Sequence, residues 1–331
     1  MRSSILILTG PRLTLAALFL TVAVASGATW ERLAPLPEPN GGFIAGVADG
    51  RLIVVGGTNW EGGHKNWLKT VTAYDPASGK WLPGAALEQP VAYGVAGNYD
   101  GTWIVVGGTT GAAPSGVRLR LQQGRISAES ERALPYPAVL AAGGVVGNEF
   151  IVMGGTGDAA DLHSLSRRVL ACPLRGGAVR TLPDFPGPAT GIAASVVVAG
   201  ELLVFGGASW SEGPGNVANH AEAYSLRPSG AGRWRTLRPC PVAVRGVAAV
   251  SLDGRHIYLA GGYRGDAEGF TDAGFIYDMK TDSYRPAAPL PIRAAVGLVK
   301  LGDYVYCLGG EDRMRHRTDA VFRIRVAALG E

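Results

Sequence analysis

The sequence predicts an all-β chain, a propeller of six four-stranded sheets whose ring is closed by pairing of its N-terminal and C-terminal strands. Three observations predict it. A strand-like apolar run ending in Gly-Gly recurs six times, with the first Gly at 56, 107, 154, 206, 261 and 309. The intervals run from 47 to 55 residues, the length of one four-stranded sheet with its turns. No long helical periodicity interrupts the pattern. Chance does not account for the pairs in a chain with 49 Gly, because each follows a run such as LIVVGG, WIVVGG or VYCLGG.

The first unit shows the order of elements. A small-residue run, Gly42 to Val47, leads into Asp49-Gly50, a hairpin signal. The apolar run to Gly57 is the second strand. Val71 to Asp75 is the third, and a turn from Pro76 to Gly79 leads to a fourth that begins near Trp81. Trp30, Trp81 and Trp234 begin fourth strands, where they are expected to pack the outer part of each unit. Leu-Pro steps at 36, 134, 182 and 290 punctuate the units. The sixth unit ends on its third strand, Ala320 to Arg325. Thr29 to Leu33 can supply the missing fourth, which would remove an exposed edge. Residues 29–331 therefore read as one domain.

Residues 1–28 read as a cleaved signal peptide. Arg2 and Arg12 precede an apolar run from Leu13 to Ala25, and small residues follow at 25–28. The run is short for a spanning helix, and no second one occurs. The mature protein is expected to be exported, periplasmic or secreted, with no membrane association after cleavage. The 31 Lys+Arg and 27 Asp+Glu give +4, and loss of Arg2 and Arg12 lowers this to +2. So mild a charge does not suggest a nucleic-acid partner. Cys172, Cys240 and Cys307 are far apart, without the spacing of a zinc site, and are expected to be buried inert thiols.

Equivalent positions of the six units define rings around a central channel. The residue after Gly-Gly is Thr58, Thr109, Thr156, Ala208, Tyr263 and Glu311. A second ring, 16 residues before each first Gly, is Asn40, Val91, Ala138, Thr190, Arg245 and Arg293. The rings bring a carboxylate and two guanidinium groups together on the fifth and sixth units. Asp312, Arg313, Arg315, His316 and Arg317 add to the sixth-unit loop. A carboxylate among such donors can act as a general base beside an anion-holding site. The alternative is a structural pair that ties the units together. Asn59, Trp60, His64, Asn66 and Trp67 make the first loop rich in groups that stack on sugar faces and bind hydroxyls. Tyr93 falls near the channel mouth by register. Trp210 and His220 are weaker candidates in the fourth-unit loop.

The six-unit pattern resembles the kelch repeat over the whole of 29–331. Within it, Gly310-Glu311 and Arg317-Thr318-Asp319-Ala320-Val321-Phe322 are similar to the G-E-x5-R-T-D-A-V-F segment of sialic acid mutarotases, or N-acetylneuraminate epimerases. The order of units, with the Glu-bearing one last, resembles the cyclically permuted members of that family. The resemblance implies that Glu311 is the proton acceptor and Arg317 its charged partner, in a cofactor-independent isomerase without a metal. The residues Arg293, Arg245, Tyr93, Asn59, Trp60 and His64 are the candidates for binding a small, anionic sugar. Mutarotation opens a hemiketal ring and recloses it on the other face, so it needs a base for the anomeric hydroxyl and an acid for the ring oxygen. No residue of the sequence identifies the acid. The first loop is shorter than in the enterobacterial enzyme, and Val91 stands where an Arg precedes the Tyr, which leaves the sugar open. The competing reading is a non-catalytic kelch propeller that binds a glycan or protein. A copper oxidase on kelch blades would need a Tyr cross-linked to Cys with His ligands, and the three Cys offer no such set.

Overall fold

The second strand of each sheet is apolar on both faces, so it must be buried between two neighbouring sheets. The computed structural model describes residues 29–111, 117–122, 125–130, 134, 136, 138–212 and 214–330. The candidate signal peptide lies outside the described residues. These residues form an all-β propeller with only short 3₁₀ turns besides. Among them are six four-stranded sheets, each an antiparallel meander. The first is Ile44–Ala48, Arg51–Val55, Thr70–Asp75 and Lys80–Ala86. In the sixth, Ala295–Leu301, Tyr304–Arg313 and His316–Arg325 are followed by Glu31–Arg32 from the start of the chain. There Glu31 faces Arg323 and Arg32 faces Phe322. The Arg323 guanidinium donates to both oxygens of Glu31.

The core lies between sheets. Leu203 and Phe205 of the fourth sheet pack against Ile257, Leu259 and Tyr277 of the fifth. Leu202 and Val204, on the opposite face of the same strand, pack against Ile151 and Met153 of the third. Ile53 and Val55 face the second sheet, while Leu52 and Val54 face Tyr306, Leu308 and Val321 of the sixth. This two-sided burial is why the second strands read as continuous apolar runs. Each such side chain contributes about 1.5–3 kcal/mol through burial. The tryptophans that begin fourth strands pack at the outer edge. Their indole N–H groups donate back to the preceding unit: Trp81 to Ala34 O, Trp234 to Pro183 O and Trp30 to Pro289 O.

The Gly-Gly pairs stitch neighbouring sheets together. The second Gly of each pair donates its N–H to a carbonyl just before the next inner strand: Gly57 to Val91, Gly108 to Ala138, Gly155 to Thr190, Gly207 to Val244 and Gly262 to Ala294. Gly310 of the sixth sheet donates in the same way to Asn40, before the first. The first Gly leaves no room for a side chain. A Cβ on Gly56, at φ +56°, would stand 1.9 Å from the carbonyl oxygen of Val91.

These hydrogen bonds correct the second ring. The structurally equivalent residues are Asn40, Val91, Ala138, Thr190, Val244 and Ala294. The spacing is one residue longer in the fifth unit and one shorter in the sixth, so a fixed interval misplaces both arginines. Arg245 lies one position after the ring, bridged to Tyr263, as Gly41 is bridged to Thr58. Arg293 lies one position before it. Of the cysteines, only Cys307 is fully buried, and none forms a disulfide. Burial pushes the thiols of Cys307 and Cys240 up, the latter to about 11.

Candidate active site

A cavity of about 540 Å³ opens at the Gly-Gly end of the propeller, lined by residues from all six sheets. That is within the usual range for small-molecule sites. Its rim is a run of left-handed residues. Gly42, Tyr93, Leu140, Ile192 and Gly246 have φ of +66°, +61°, +60°, +57° and +66°. Each of the last four donates its N–H to the carbonyl of the one before: Tyr93 to Gly42, Leu140 to Tyr93, Ile192 to Leu140, and Gly246 to Ile192. Left-handed geometry is unfavourable for Tyr and Leu and more so for β-branched Ile. Strain held at several equivalent points around one cavity is a mark of a functional site.

The cavity has two unlike sides. Leu140, Ala141, Ala159, Ile192 and Ala193 form an apolar wall from the third and fourth sheets. Lys65, Tyr93, Arg245, Tyr263, Glu311 and Arg317 face it from the other sheets. The cations outnumber the carboxylate on this polar side.

Glu311 and Arg317 are directly opposite in the long hairpin of the sixth sheet. Arg317 Nη1 stands 2.7 Å from Glu311 Oε1. The contact is an ion pair rather than an aligned hydrogen bond, since Arg317 Nη1 and Nε both lack a hydrogen-bond acceptor among the described residues. Arg317 is 6% exposed at its side chain and Glu311 28%. The guanidinium puts a buried positive charge at the cavity wall, which favours an anion there. The backbone N–H of Arg315 donates to Glu311 Oε1 at 3.1 Å and fixes the carboxylate from below. Two glycines make room for the polar side. A Cβ on Gly41 would be 2.4 Å from Arg317 Cδ, and one on Gly42 would be 2.2 Å from the ring of Tyr93.

Arg245 lies over the ring of Tyr263 at 4.5 Å and donates to Asn219 at 2.9 Å. Burial lowers its pKa from the ordinary arginine value. The phenol of Tyr263 donates to Asp266 at 2.5 Å, and that bond raises its pKa. Tyr93 sits 3.3 Å from the Thr58 hydroxyl and edge-on to Trp67.

Four of the six residues named for sugar binding lie off the cavity. Arg293, one residue out of register, points outward with its side chain 72% exposed, 3.8 Å from Asp272. The first loop is a two-stranded hairpin, Thr58–Glu61 and His64–Trp67, turned by Gly62-Gly63 in left-handed conformation. Alternation puts Thr58, Trp60, Lys65 and Trp67 on one face and Asn59, His64 and Asn66 on the other. Asn59 is therefore held by Asn66 and Glu38, and His64 is exposed. Trp60 shares the inner face but lies under Arg315, 5.6 Å from its guanidinium. Lys65 reaches the cavity instead, and the strand period would have found it once the Gly62-Gly63 turn was recognised. His220 hydrogen-bonds Ser209, and Trp210 stacks on His163. Among the described residues, no group of three His, Cys, Asp or Glu could hold a metal.

The Kelch motif family matches residues 42–87 and 245–291, in the first and fifth sheets. The N-acetylneuraminate epimerase of Pasteurella multocida (strain Pm70) is 29% identical over 109 residues, 25% of this chain and 29% of that protein. Those of Escherichia coli O157:H7 and of strain K12 are 32% and 31% identical over 96 residues, each 24% of this chain and 26% of the relative. The matches thus span under a third of these relatives' length. The chain is a kelch-repeat propeller that resembles the mutarotase family.

Proposed function

We propose that this chain is an exported sugar mutarotase that interconverts the anomers of N-acetylneuraminate or a related acidic sugar. The observation that carries the reading is the Glu311–Arg317 pair at the wall of a solvent-open cavity rich in cations. A structural pair would be closed off from any such space, so the pair favours catalysis over the purely binding role. The proposed architecture is a six-bladed ring, one domain over 29–331, sealed by its own ends. The Glu31–Arg323 pairing and the Gly310-to-Asn40 hydrogen bond support it. Residues 1–28 are the proposed leader.

In the proposed reaction, Glu311 takes the proton from the anomeric hydroxyl as the bond from the anomeric carbon to the ring oxygen breaks. Arg317, with Arg245 and Lys65 nearby, holds the anionic substituent and orients the ring. The open-chain ketone rotates and is reclosed on its other face, which returns the proton. The apolar wall formed by Leu140 and Ile192 shelters the ring from bulk water. General base help of this kind supplies about 10²–10⁴-fold.

The test is anomer equilibration followed by proton NMR, starting from a freshly released single anomer of N-acetylneuraminate. Acceleration by the mature protein, lost in a folded Glu311→Gln variant, is the expected result. Full activity in Glu311→Gln would remove Glu311 from the role of base. No acceleration of any acidic sugar would overturn the assignment of activity.

A further inference from the structure

The reaction needs a second proton-transfer group, and the polar side of the cavity contains two phenols that differ in chemistry. Tyr263 already commits its proton to Asp266 at 2.5 Å and lies beneath Arg245. Among the described residues, Tyr93 has no carboxylate partner. Its ring is fixed by Trp67, with centroids 5.9 Å apart and planes at 87°. Its backbone is in the strained left-handed conformation, locked by the hydrogen bond to Gly42 O. Lys65 Nζ lies 4.8 Å from the centroid of the Tyr93 ring and 4.6 Å from that of Trp67. The Thr58 hydroxyl is 3.3 Å from the phenol oxygen. Glycine at position 42 is required for this placement, since any Cβ there would occupy the ring's space.

The geometry points to Tyr93 as the acid that protonates the ring oxygen, with Lys65 as the residue that positions and tunes it. This rests on the mutarotase reading above. As the ring carbon–oxygen bond breaks, its electron pair stays on oxygen, which takes the phenolic proton. The anomeric hydroxyl simultaneously gives its proton to Glu311 and becomes the carbonyl. The products of the step are an open-chain hydroxyketone, a Tyr93 phenolate and a protonated Glu311. On reclosure the hydroxyl attacks the other face, the phenolate recovers its proton, and Glu311 returns its own to the carbonyl oxygen. Atoms and charge balance without any further reactant.

The electrostatics agree with the role. Burial disfavours ionisation of Tyr93, but Lys65, Thr58 and Arg317 more than offset it, and its pKa lies below the ordinary tyrosine value. The charged groups that face this phenol are Lys65 from the first-sheet hairpin and Arg317 from the sixth sheet. Both are cations, and both stabilise the phenolate left after proton transfer. An acid nearer in strength to neutral pH is the better donor.

The experiment combines kinetics with a titration that does not depend on activity. Tyr93→Phe is expected to lower kcat by about 10²–10⁴-fold with little change in KM or in Tm. The wild-type rate should fall as pH rises through the Tyr93 pKa, because the acid must be protonated. Lys65→Met should move that alkaline limb to higher pH, read on whatever rate the variant retains. Tyrosinate absorbance, compared between wild type and Tyr93→Phe, should reveal one phenol that ionises ahead of the rest, and Lys65→Met should delay it. Full kcat in Tyr93→Phe, or a limb unmoved by Lys65→Met, overturns the proposal. So does a difference spectrum that assigns Tyr93 an ordinary or raised pKa. If wild type accelerates no sugar, the mutarotase reading fails and the acid role with it, whereas the absorbance titration still reports whether the phenol is acidic.

Discussion

Gly41→Ala is a single-methyl change that separates the placement of Arg317 from its chemistry. Gly41 does not have a positive φ, so alanine adopts its backbone without strain. The added Cβ would stand 2.4 Å from Arg317 Cδ and 2.6 Å from its Nε, where ordinary contact begins at 3.4 Å. The arginine stem must therefore retreat by about 1 Å, a displacement that can cost a well-aligned site on the order of 10²-fold. The guanidinium is buried, so the shift is transmitted to its 2.7 Å contact with Glu311 rather than absorbed in solvent. Overpacking should also cost about 1–3 kcal/mol of stability. The expected outcome is a folded protein with a kcat for anomer exchange lowered about 10²-fold. The proton NMR assay should be run well below the measured Tm of each variant. Gly254→Ala is the control, because its Cβ would meet nothing within 4 Å and its φ is not positive. A Gly41→Ala enzyme with the wild-type rate would mean that the position of Arg317 is immaterial, and the reasoning from the ion pair would fail.

Two further outcomes concern stability. Gly56→Ala places a Cβ 1.9 Å from Val91 O at a left-handed φ, and should destabilise far more than Gly254→Ala in urea unfolding. An equal effect would show that the inter-sheet contact can relax. Asp278 should contribute to acid sensitivity, because hydrogen bonds from Arg255 hold its carboxyl well below the ordinary aspartate range. A depressed folded pKa means the contribution is complete above the unfolded value and is lost as pH falls below it. Stability should therefore decline below about pH 4, less steeply in Arg255→Ala, as read from Tm against pH; identical slopes would dismiss the pair.

How much of this was legible in the sequence depends on whether a feature is repeated or local. The Gly-Gly pairs recur because each first Gly abuts the carbonyl of the next unit, a constraint the chain must meet at every sheet. The residue after each pair keeps one register in all six sheets, and Glu311 and Tyr263 line the cavity from it. Arg317 is implied by the resemblance of Gly310 to Phe322 to the mutarotase segment, and the hairpin pairs it with Glu311. The second ring failed where loop length varies. A longer turn between the first two strands of the fifth sheet, and one residue too few before the inner strand of the sixth, put Arg245 and Arg293 at inequivalent points. A one-residue slip in β structure reverses the side-chain direction, and Arg293 ended in solvent. Lys65 was missed for the same reason in miniature. A segment read as an irregular loop has no faces, so its polar residues cannot be sorted. Read as a hairpin about Gly62-Gly63, the same segment has two, and only the face that carries Lys65 and Trp67 meets Tyr93. The left-handed backbone of Tyr93 has no such signal, because tyrosine is not a residue that favours it. It is imposed by the hydrogen-bonded rim around the cavity, a tertiary arrangement that exists only once the neighbouring sheets are in place.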